Sequence, residues 1–270
     1  MKIPSGQWKF TVMDCTMATS QPPAAGTPAF WVMKICATTL GETAGDLLSM
    51  TLNVGYAISS MILISVFLVT LLTQLWSKTY NPVLYWIVIL STSTAGTTMS
   101  DFMDRTLGLG YAAGSMILIV ILMIIFALWR LSGDSLNVNK VQTFRGELFY
   151  WMAILFSNTL GTALGDFLAD DSGLGFAGGA LLIGSAIAVV VALKYFTQIS
   201  SVLLFWVAFV LTRPFGATLG DFLTKPPEKG GLDFGTIGSS AVLAAVLVVM
   251  IAGAAYAQRR YGRSAIADVS

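Results

Sequence analysis

The chain has 270 residues, of which 56% are hydrophobic and only 11% are charged, and its formal net charge is +1. Soluble domains carry about 25% charged residues, so this composition excludes an ordinary soluble protein. It predicts a membrane protein whose surface contacts the lipid bilayer. The near-neutral charge gives no indication of nucleic-acid binding.

The elements follow in chain order. Residues 1–29 hold four prolines and no long apolar run, which predicts a flexible cytoplasmic lead rather than a signal peptide. A transmembrane helix needs about 20 mostly apolar residues. Eight stretches meet this need, at roughly 30–50, 56–76, 83–103, 111–130, 147–168, 176–195, 201–223 and 236–256. They predict one transmembrane domain over 30–256, followed by a basic cytoplasmic tail at 257–270.

One motif occurs four times. It begins with an aromatic residue followed by Trp. A Gly lies ten residues after the Trp, a Gly or Ser lies four residues after that Gly, and an Asp comes immediately next. The copies are Phe30-Trp31 to Asp46, Tyr85-Trp86 to Asp101, Tyr150-Trp151 to Asp166 and Phe205-Trp206 to Asp221. The Trp positions are 55, 65 and 55 residues apart, so each repeat holds two helices.

These repeats predict the fold class. Two helices return the chain to its starting side, so all four motif helices point the same way. We expect an all-α integral membrane protein with eight transmembrane helices, arranged as four parallel two-helix repeats with pseudo-symmetry about the membrane normal. The repeats span 30–80, 81–132, 147–198 and 201–256. Small-xxx-small pairs in the motif helices predict that these helices come together near their outer ends, and small pairs in the second helices predict closely packed hairpins.

The basic residues predict the orientation. Eleven Lys and Arg residues fall on the side that holds both termini, and four fall on the other side. Because basic loops remain in the cytoplasm, we expect both termini in the cytoplasm of a bacterial inner membrane. The motif Asp residues then lie toward the outer face. Lys34, near the inner end, is expected to extend its amine to the interface.

The four motif Asp residues need an explanation, because a charge at membrane depth costs a few kcal/mol. Bound cations, protonation or basic partners would compensate Asp46, Asp101, Asp166 and Asp221. Alternatively, each Asp caps a short interfacial helix that follows it.

Polar residues lead inward from these acids. Glu42 lies one turn before Asp46, and Arg213 is a candidate counter-charge, either in a static buried pair or as an exchangeable internal cation. A pathway for a desolvated ion or proton would use Thr39, Thr43, Thr94, Thr98, Asn158, Thr159 and Thr218. Hydrogen bonding between helices would use the same residue types, so both interpretations remain open.

The ligand types restrict the substrate. The chain has no His and only two Cys, which disfavours zinc and copper and implies no disulfide framework. Carboxylates and hydroxyls suit hard cations such as Mn²⁺, Ca²⁺, Mg²⁺, Na⁺ or H⁺. The predicted metal ligands are Glu42, Asp46, Asp101, Asp166 and Asp221. No covalent cofactor is expected, and a homo-oligomer is left open.

The repeated W-x9-G-x3-[GS]-D hairpins, with TTLGETAGD, STAGTTMSD and LTRPFGATLGD, resemble a bacterial family of multi-pass proteins labelled uncharacterised membrane-anchored proteins. The likeness covers about residues 30–257 and implies no activity. A weaker likeness is to cation/proton exchangers with the signature E-x-G-D-[KR]-[ST]. The segment from Glu42 to Asp46 has one extra residue and lacks the following basic residue.

The sequence therefore predicts a membrane transporter of hard cations rather than an enzyme, with proton coupling left open. A ring of carboxylates would also suit a channel mouth, but the unique Glu42 and Arg213 favour a carrier. The main alternative is a scaffold or assembly protein that transports nothing. An intramembrane aspartyl protease is disfavoured, because its motif is G-x-G-D and four acids exceed its catalytic pair.

Overall fold

The computed structural model describes residues 27–77, 81–137 and 143–267, and side chains as far as residue 256. Nearly all of the predicted lead lies outside the described residues. The described residues form eight α-helices, namely α1 (Pro28–Asp46), α2 (Tyr56–Trp76), α3 (Pro82–Asp101), α4 (Tyr111–Leu131), α5 (Phe144–Asp166), α6 (Gly175–Phe196), α7 (Ser201–Thr224) and α8 (Thr236–Ala267). The all-helical class is confirmed, and α8 continues as a helix into the predicted tail.

Six of the described helices are long and apolar enough to cross a membrane: α2, α4, α5, α6, α7 and α8. The other two, α1 and α3, carry more polar side chains, and most of these are buried inside the bundle. Their polar residues face other helices, so the low hydropathy of α1 and α3 does not expose polar groups on the outside of the bundle.

The four motif helices form a closed inner ring. α1 contacts α3, α3 contacts α5, α5 contacts α7, and α7 contacts α1. We call the two ends of this ring the Trp end and the Asp end, after the motif residues found there.

The remaining four helices pack outside the inner ring, but not as the predicted hairpins. The main partner of α2 is α3, that of α4 is α5, that of α6 is α7, and that of α8 is α1. The hairpin prediction was therefore wrong, because each second helix packs against the motif helix of the next repeat. Small residues permit this contact: Gly179 and Gly184 of α6 lie against Thr218 and Phe215 of α7.

Glycines set the spacing of the inner ring. The first motif Gly of each repeat meets the residue three positions before the corresponding Gly in the next repeat. These contacts join Gly41 to Ser93, Gly96 to Asn158, Gly161 to Arg213 and Gly216 to Thr38. A Cβ at Gly96 would lie 2.9 Å from the backbone carbonyl carbon of Asn158. The predicted close approach of the motif helices is thus confirmed.

Aromatic side chains fill the ring at its Trp end. The aromatic residue before each Trp packs on the Trp of the next repeat. The ring centroids are 5.8 Å apart for Phe30 and Trp86, 5.9 Å for Tyr85 and Trp151, 6.1 Å for Tyr150 and Trp206, and 5.6 Å for Phe205 and Trp31. Such tilted and edge-on contacts stabilise beyond the area that they bury. We call this set the aromatic layer.

Three of the motif helices, α1, α3 and α5, begin with side-chain caps and are followed by π-helical turns. Thr27, Asn81 and Thr143 accept hydrogen bonds from the first backbone N–H groups of α1, α3 and α5. The π-helical turns span Leu47–Thr51, Phe102–Thr106 and Phe167–Asp171, directly after the motif Asp. The Asp side chain makes no capping hydrogen bond in any of them, so the predicted capping role was wrong.

Candidate functional site

The centre of the inner ring is polar. The side chains four residues before the motif Asp residues are Glu42, Thr97, Thr162 and Ala217. The hydroxyls of Thr97 and Thr162 lie 3.2 and 3.1 Å from Oε2 of Glu42. Three different helices thus meet at one carboxylate oxygen, and Glu42 is only 2% exposed.

Arg213 of α7 completes this central network, which we define as Glu42, Thr97, Thr162 and Arg213. Its Nη1 lies 2.9 Å from Oε2 of Glu42, and its Nη2 donates to the hydroxyls of Thr97 and Thr162 at 2.6 Å each. Arg213 has no solvent exposure. A buried ion pair is tolerated when additional hydrogen bonds support both partners, and the two hydroxyls contribute such bonds here, although Nε of Arg213 has no hydrogen-bond partner among the described residues.

Lys34 lies deeper in the ring, toward the Trp end. It is fully buried, with Nζ 4.0 Å from the centre of the Phe209 ring, and among the described residues this amine has no hydrogen-bond partner. The prediction that Lys34 extends to the interface was wrong. The corresponding residues of the other repeats, Ile89, Ile154 and Phe209, are also buried, so this register position faces the interior of the ring.

At the Asp end, Lys225 joins two motif acids. Its Nζ lies 2.6 Å from Oδ2 of Asp46 and 3.2 Å from Oδ1 of Asp221. Lys225 follows the end of α7, and its side chain is 19% exposed. Burial lowers the pKa of its ammonium, but the carboxylates of Asp221 and Asp46 raise the pKa by more, so Lys225 remains protonated.

Arg105 joins the other two motif acids in the same way. Its Nε lies 3.1 Å from Oδ1 of Asp101, and its Nη2 lies 3.2 Å from Oδ2 of Asp166. Its Nη1 donates to the hydroxyl of Tyr56 at 3.1 Å, and the guanidinium also lies near the Tyr111 ring. The four repeated acids are therefore compensated as two pairs, each by one basic residue.

Three carboxyl groups form a tight cluster at the Asp end. Glu42, Asp46 and Asp221 each offer one oxygen, and these oxygens lie within 4.8 Å of one another. We call these residues the carboxyl cluster. All three are buried, and carboxylate oxygens are the preferred ligands of hard cations. The other two predicted ligands, Asp101 and Asp166, lie in the Arg105 pair instead.

The described hydrogen bonds of the predicted pathway residues are mostly to backbone carbonyls of their own helices. Six of them, Thr39, Thr43, Thr94, Thr98, Thr159 and Thr218, donate to carbonyls three or four residues earlier on their own helices. The seventh, Asn158, donates to the Thr92 hydroxyl at 2.9 Å and so links α5 to α3. Bonds of this kind are local or structural.

Sequence reasoning missed the two basic partners of the acids. Arg105 and Lys225 each come four residues after the motif Asp of their own repeat, whereas the other two repeats have Met50 and Asp170 there. Side chains at this spacing are neighbours on a helix surface. The spacing could have indicated an ion pair within each repeat, but not the bridge to the acid of the next repeat.

Comparison with protein families gives a match for most of the chain. Four segments, residues 29–80, 84–135, 149–200 and 204–261, match the family described as Repeat of Unknown Function (DUF347). The chain belongs to this family. Its four segments begin 55, 65 and 55 residues apart, as do the Trp residues, so the internal repeats of the DUF347 protein are confirmed. No curated protein and no solved structure matches it.

Proposed function

We propose that this DUF347 protein is a transporter of hard cations in the bacterial inner membrane. The observation that carries the proposal is the carboxyl cluster, in which Glu42, Asp46 and Asp221 place three oxygens within 4.8 Å of one another inside an apolar bundle. Buried ionisable residues in membrane proteins commonly mark ion pathways.

The outside of the bundle supports a membrane location. Large apolar side chains are exposed on the outer helices, including Val69 on α2, Met123 on α4, Leu181 on α6 and Val249 on α8. A soluble protein rarely exposes apolar surface on this scale, whereas lipid covers it. In the proposal all eight helices cross the membrane, with four-repeat pseudo-symmetry about its normal and both termini in the cytoplasm.

The charge of the site favours a cation as the substrate. Five carboxyl groups, those of Glu42 and the four motif Asp residues, face three basic groups, those of Arg105, Arg213 and Lys225. If all are ionised, the site has a formal charge of −2. A divalent cation or two protons would balance it, and the absence of His favours hard cations such as Mn²⁺, Ca²⁺ or Mg²⁺.

Access to the site differs between the two ends of the ring, which favours a carrier over an open pore. The side chains of Arg105 and Lys225 are 30% and 19% exposed at the Asp end. On the other side, Arg213, Lys34 and six of the eight residues of the aromatic layer are buried, and Trp31 and Phe205 are partly buried. A site that is reached from one side at a time is what alternating access requires.

The test is a flux assay with the purified protein in liposomes, using Mn²⁺, Ca²⁺, Mg²⁺, Na⁺ and H⁺ in turn. The test variant combines Asp46→Asn with Asp221→Asn, and the matched control is Asp171→Asn, because Asp171 is an exposed acid on a π-helical turn. We expect flux of one ion in the native protein and the control, and loss of that flux in a folded double variant.

The other functional classes predict different results. A scaffold would give no flux with any ion and would keep its stability in the double variant, and this result would remove the transport proposal. A channel would give ohmic currents at single-channel rates rather than the slow, saturable uptake of a carrier.

A further inference from the structure

We infer that Lys225 is a tethered cation that occupies the carboxyl cluster in the absence of substrate and that a metal ion must displace. The inference rests on the proposed function and adds a competitor to it. The ammonium lies 2.6 Å from Oδ2 of Asp46 and 3.2 Å from Oδ1 of Asp221, two of the three cluster residues. It therefore takes the place of a bound cation.

The coordination by Lys225 leaves ligand capacity in the cluster. Nζ contacts Oδ2 of Asp46 and Oδ1 of Asp221, and no contact of Nζ with Glu42, the third cluster residue, is found among the described residues. An ammonium donates at most three hydrogen bonds in fixed directions. A cation such as Ca²⁺ takes six to eight oxygen ligands in flexible geometry and would draw all three carboxylates inward. The cluster thus offers a cation one more carboxylate than the ammonium contacts.

A metal ion and the ammonium cannot share these oxygens. A cation held by the three carboxylates would lie within a few Å of Nζ, because Nζ already contacts two of them. The repulsion of two positive charges at that distance is large away from bulk water. Binding of one therefore requires departure of the other.

Lys225 is able to leave. It lies beyond the end of α7, its side chain is partly exposed, and its stem has four rotatable carbons. Among the described residues, its ammonium also contacts Sδ of Met50, at 3.9 Å. The ammonium can therefore turn outward at the Asp end without unfolding a helix.

Arg105, which holds the other pair of acids, has the opposite character. Its guanidinium contacts Asp101, Asp166 and the Tyr56 hydroxyl, and it lies near the rings of Tyr56 and Tyr111. A planar group with this many directed contacts is fixed in place. We assign Arg105 a structural role and Lys225 the exchangeable one.

The experiment measures Mn²⁺ binding by thermal unfolding of the full-length protein in detergent. It compares the native protein with Lys225→Met and with the control Lys194→Met, which removes an exposed lysine of α6. We expect the Mn²⁺ concentration at half-maximal stabilisation to fall at least tenfold in Lys225→Met and to remain unchanged in the control. Equal midpoints in all three proteins would overturn the role of Lys225 while leaving the cation site intact.

A second measurement needs no variant and covers the case in which Lys225→Met does not fold. The native protein is acetylated with an N-hydroxysuccinimide ester with and without Mn²⁺, and the modification of Lys225 is followed by mass spectrometry. Displacement predicts a severalfold faster modification of Lys225 with Mn²⁺ and no change at Lys194. Unchanged or slower modification would overturn the inference. Absence of any effect of Mn²⁺, Ca²⁺, Mg²⁺ and Na⁺ in both measurements would overturn metal-ion binding at the carboxyl cluster and with it the proposed transport of metal ions.

Discussion

Removal of Arg213 should destabilise the protein more than most single substitutions. The Arg213→Met variant loses the 2.9 Å ion pair with Glu42 and the two 2.6 Å hydrogen bonds to Thr97 and Thr162. Glu42 would then remain buried with two hydroxyl donors and no counter-charge. Breaking a buried pair in this way costs about 3–5 kcal/mol, which is a change of more than 100-fold in the unfolding equilibrium.

The same reasoning predicts strong coupling between the two partners. Replacing both, as Glu42→Leu with Arg213→Met, removes the unpaired charge and fills the space with apolar groups, an exchange that is often nearly neutral. The double variant should therefore lose less stability than either single variant. The coupling free energy, the difference between the double effect and the sum of the single effects, should reach several kcal/mol.

The assay is reversible unfolding in mixed micelles with increasing sodium dodecyl sulfate, followed by the fluorescence of the buried residues Trp86 and Trp151. Extrapolation to zero dodecyl sulfate gives the free energy of unfolding of each variant. A cost below about 1 kcal/mol for Arg213→Met, or additive effects in the double variant, would refute the view that this pair fixes the centre of the ring.

Three further predictions concern other parts of the molecule. Gly96→Ala should lower the free energy of unfolding by about 1–3 kcal/mol in the same assay, because its Cβ would lie 2.9 Å from backbone atoms of α5. The control Gly253→Ala, whose Cβ meets open space, should be neutral or stabilising. Equal effects of the two substitutions would contradict this packing. Lys34→Met should raise stability by about 1 kcal/mol or more, since it removes a buried amine without a hydrogen bond, and a loss of stability would indicate an essential contact of the amine. A cysteine at Ser135 should react with a membrane-impermeant maleimide only in inside-out vesicles, and a cysteine at Ser172 only in intact cells; the reverse pattern would invert the proposed orientation.

The repeated motif was enough to predict four motif helices that approach one another closely, because its spacing carries physical constraints. The motif glycines predict close approach of helices, and the four equal Trp-to-Asp intervals predict four equivalent helices. The position of Glu42 one turn from Asp46, together with the single Arg213, also predicted a buried counter-charge. The structure places these two side chains 2.9 Å apart.

The remaining features depend on contacts between repeats, which the spacing within one repeat does not determine. A second helix such as α2 buries the same face of small residues whether it packs on α1 or on α3. The sequence pattern therefore does not show whether it packs within its own repeat or against the next one. Lys225 likewise looks like a local partner of Asp221, and only the closed ring brings it to Asp46. Lys34 is buried because its position on α1 faces the interior of the ring. Its location near the inner end of the helix, which the sequence shows, does not determine this.

The offset of the outer helices has a consequence for how the protein is made. Because α8 packs against α1, the first motif helix to leave the ribosome receives its outer neighbour only when the last helix has been synthesised. Until then α1, with its buried polar residues, has to be held by the translocation machinery or by other helices. The same offset means that no single repeat contains both a motif helix and the outer helix that covers it, so neighbouring repeats depend on one another for packing.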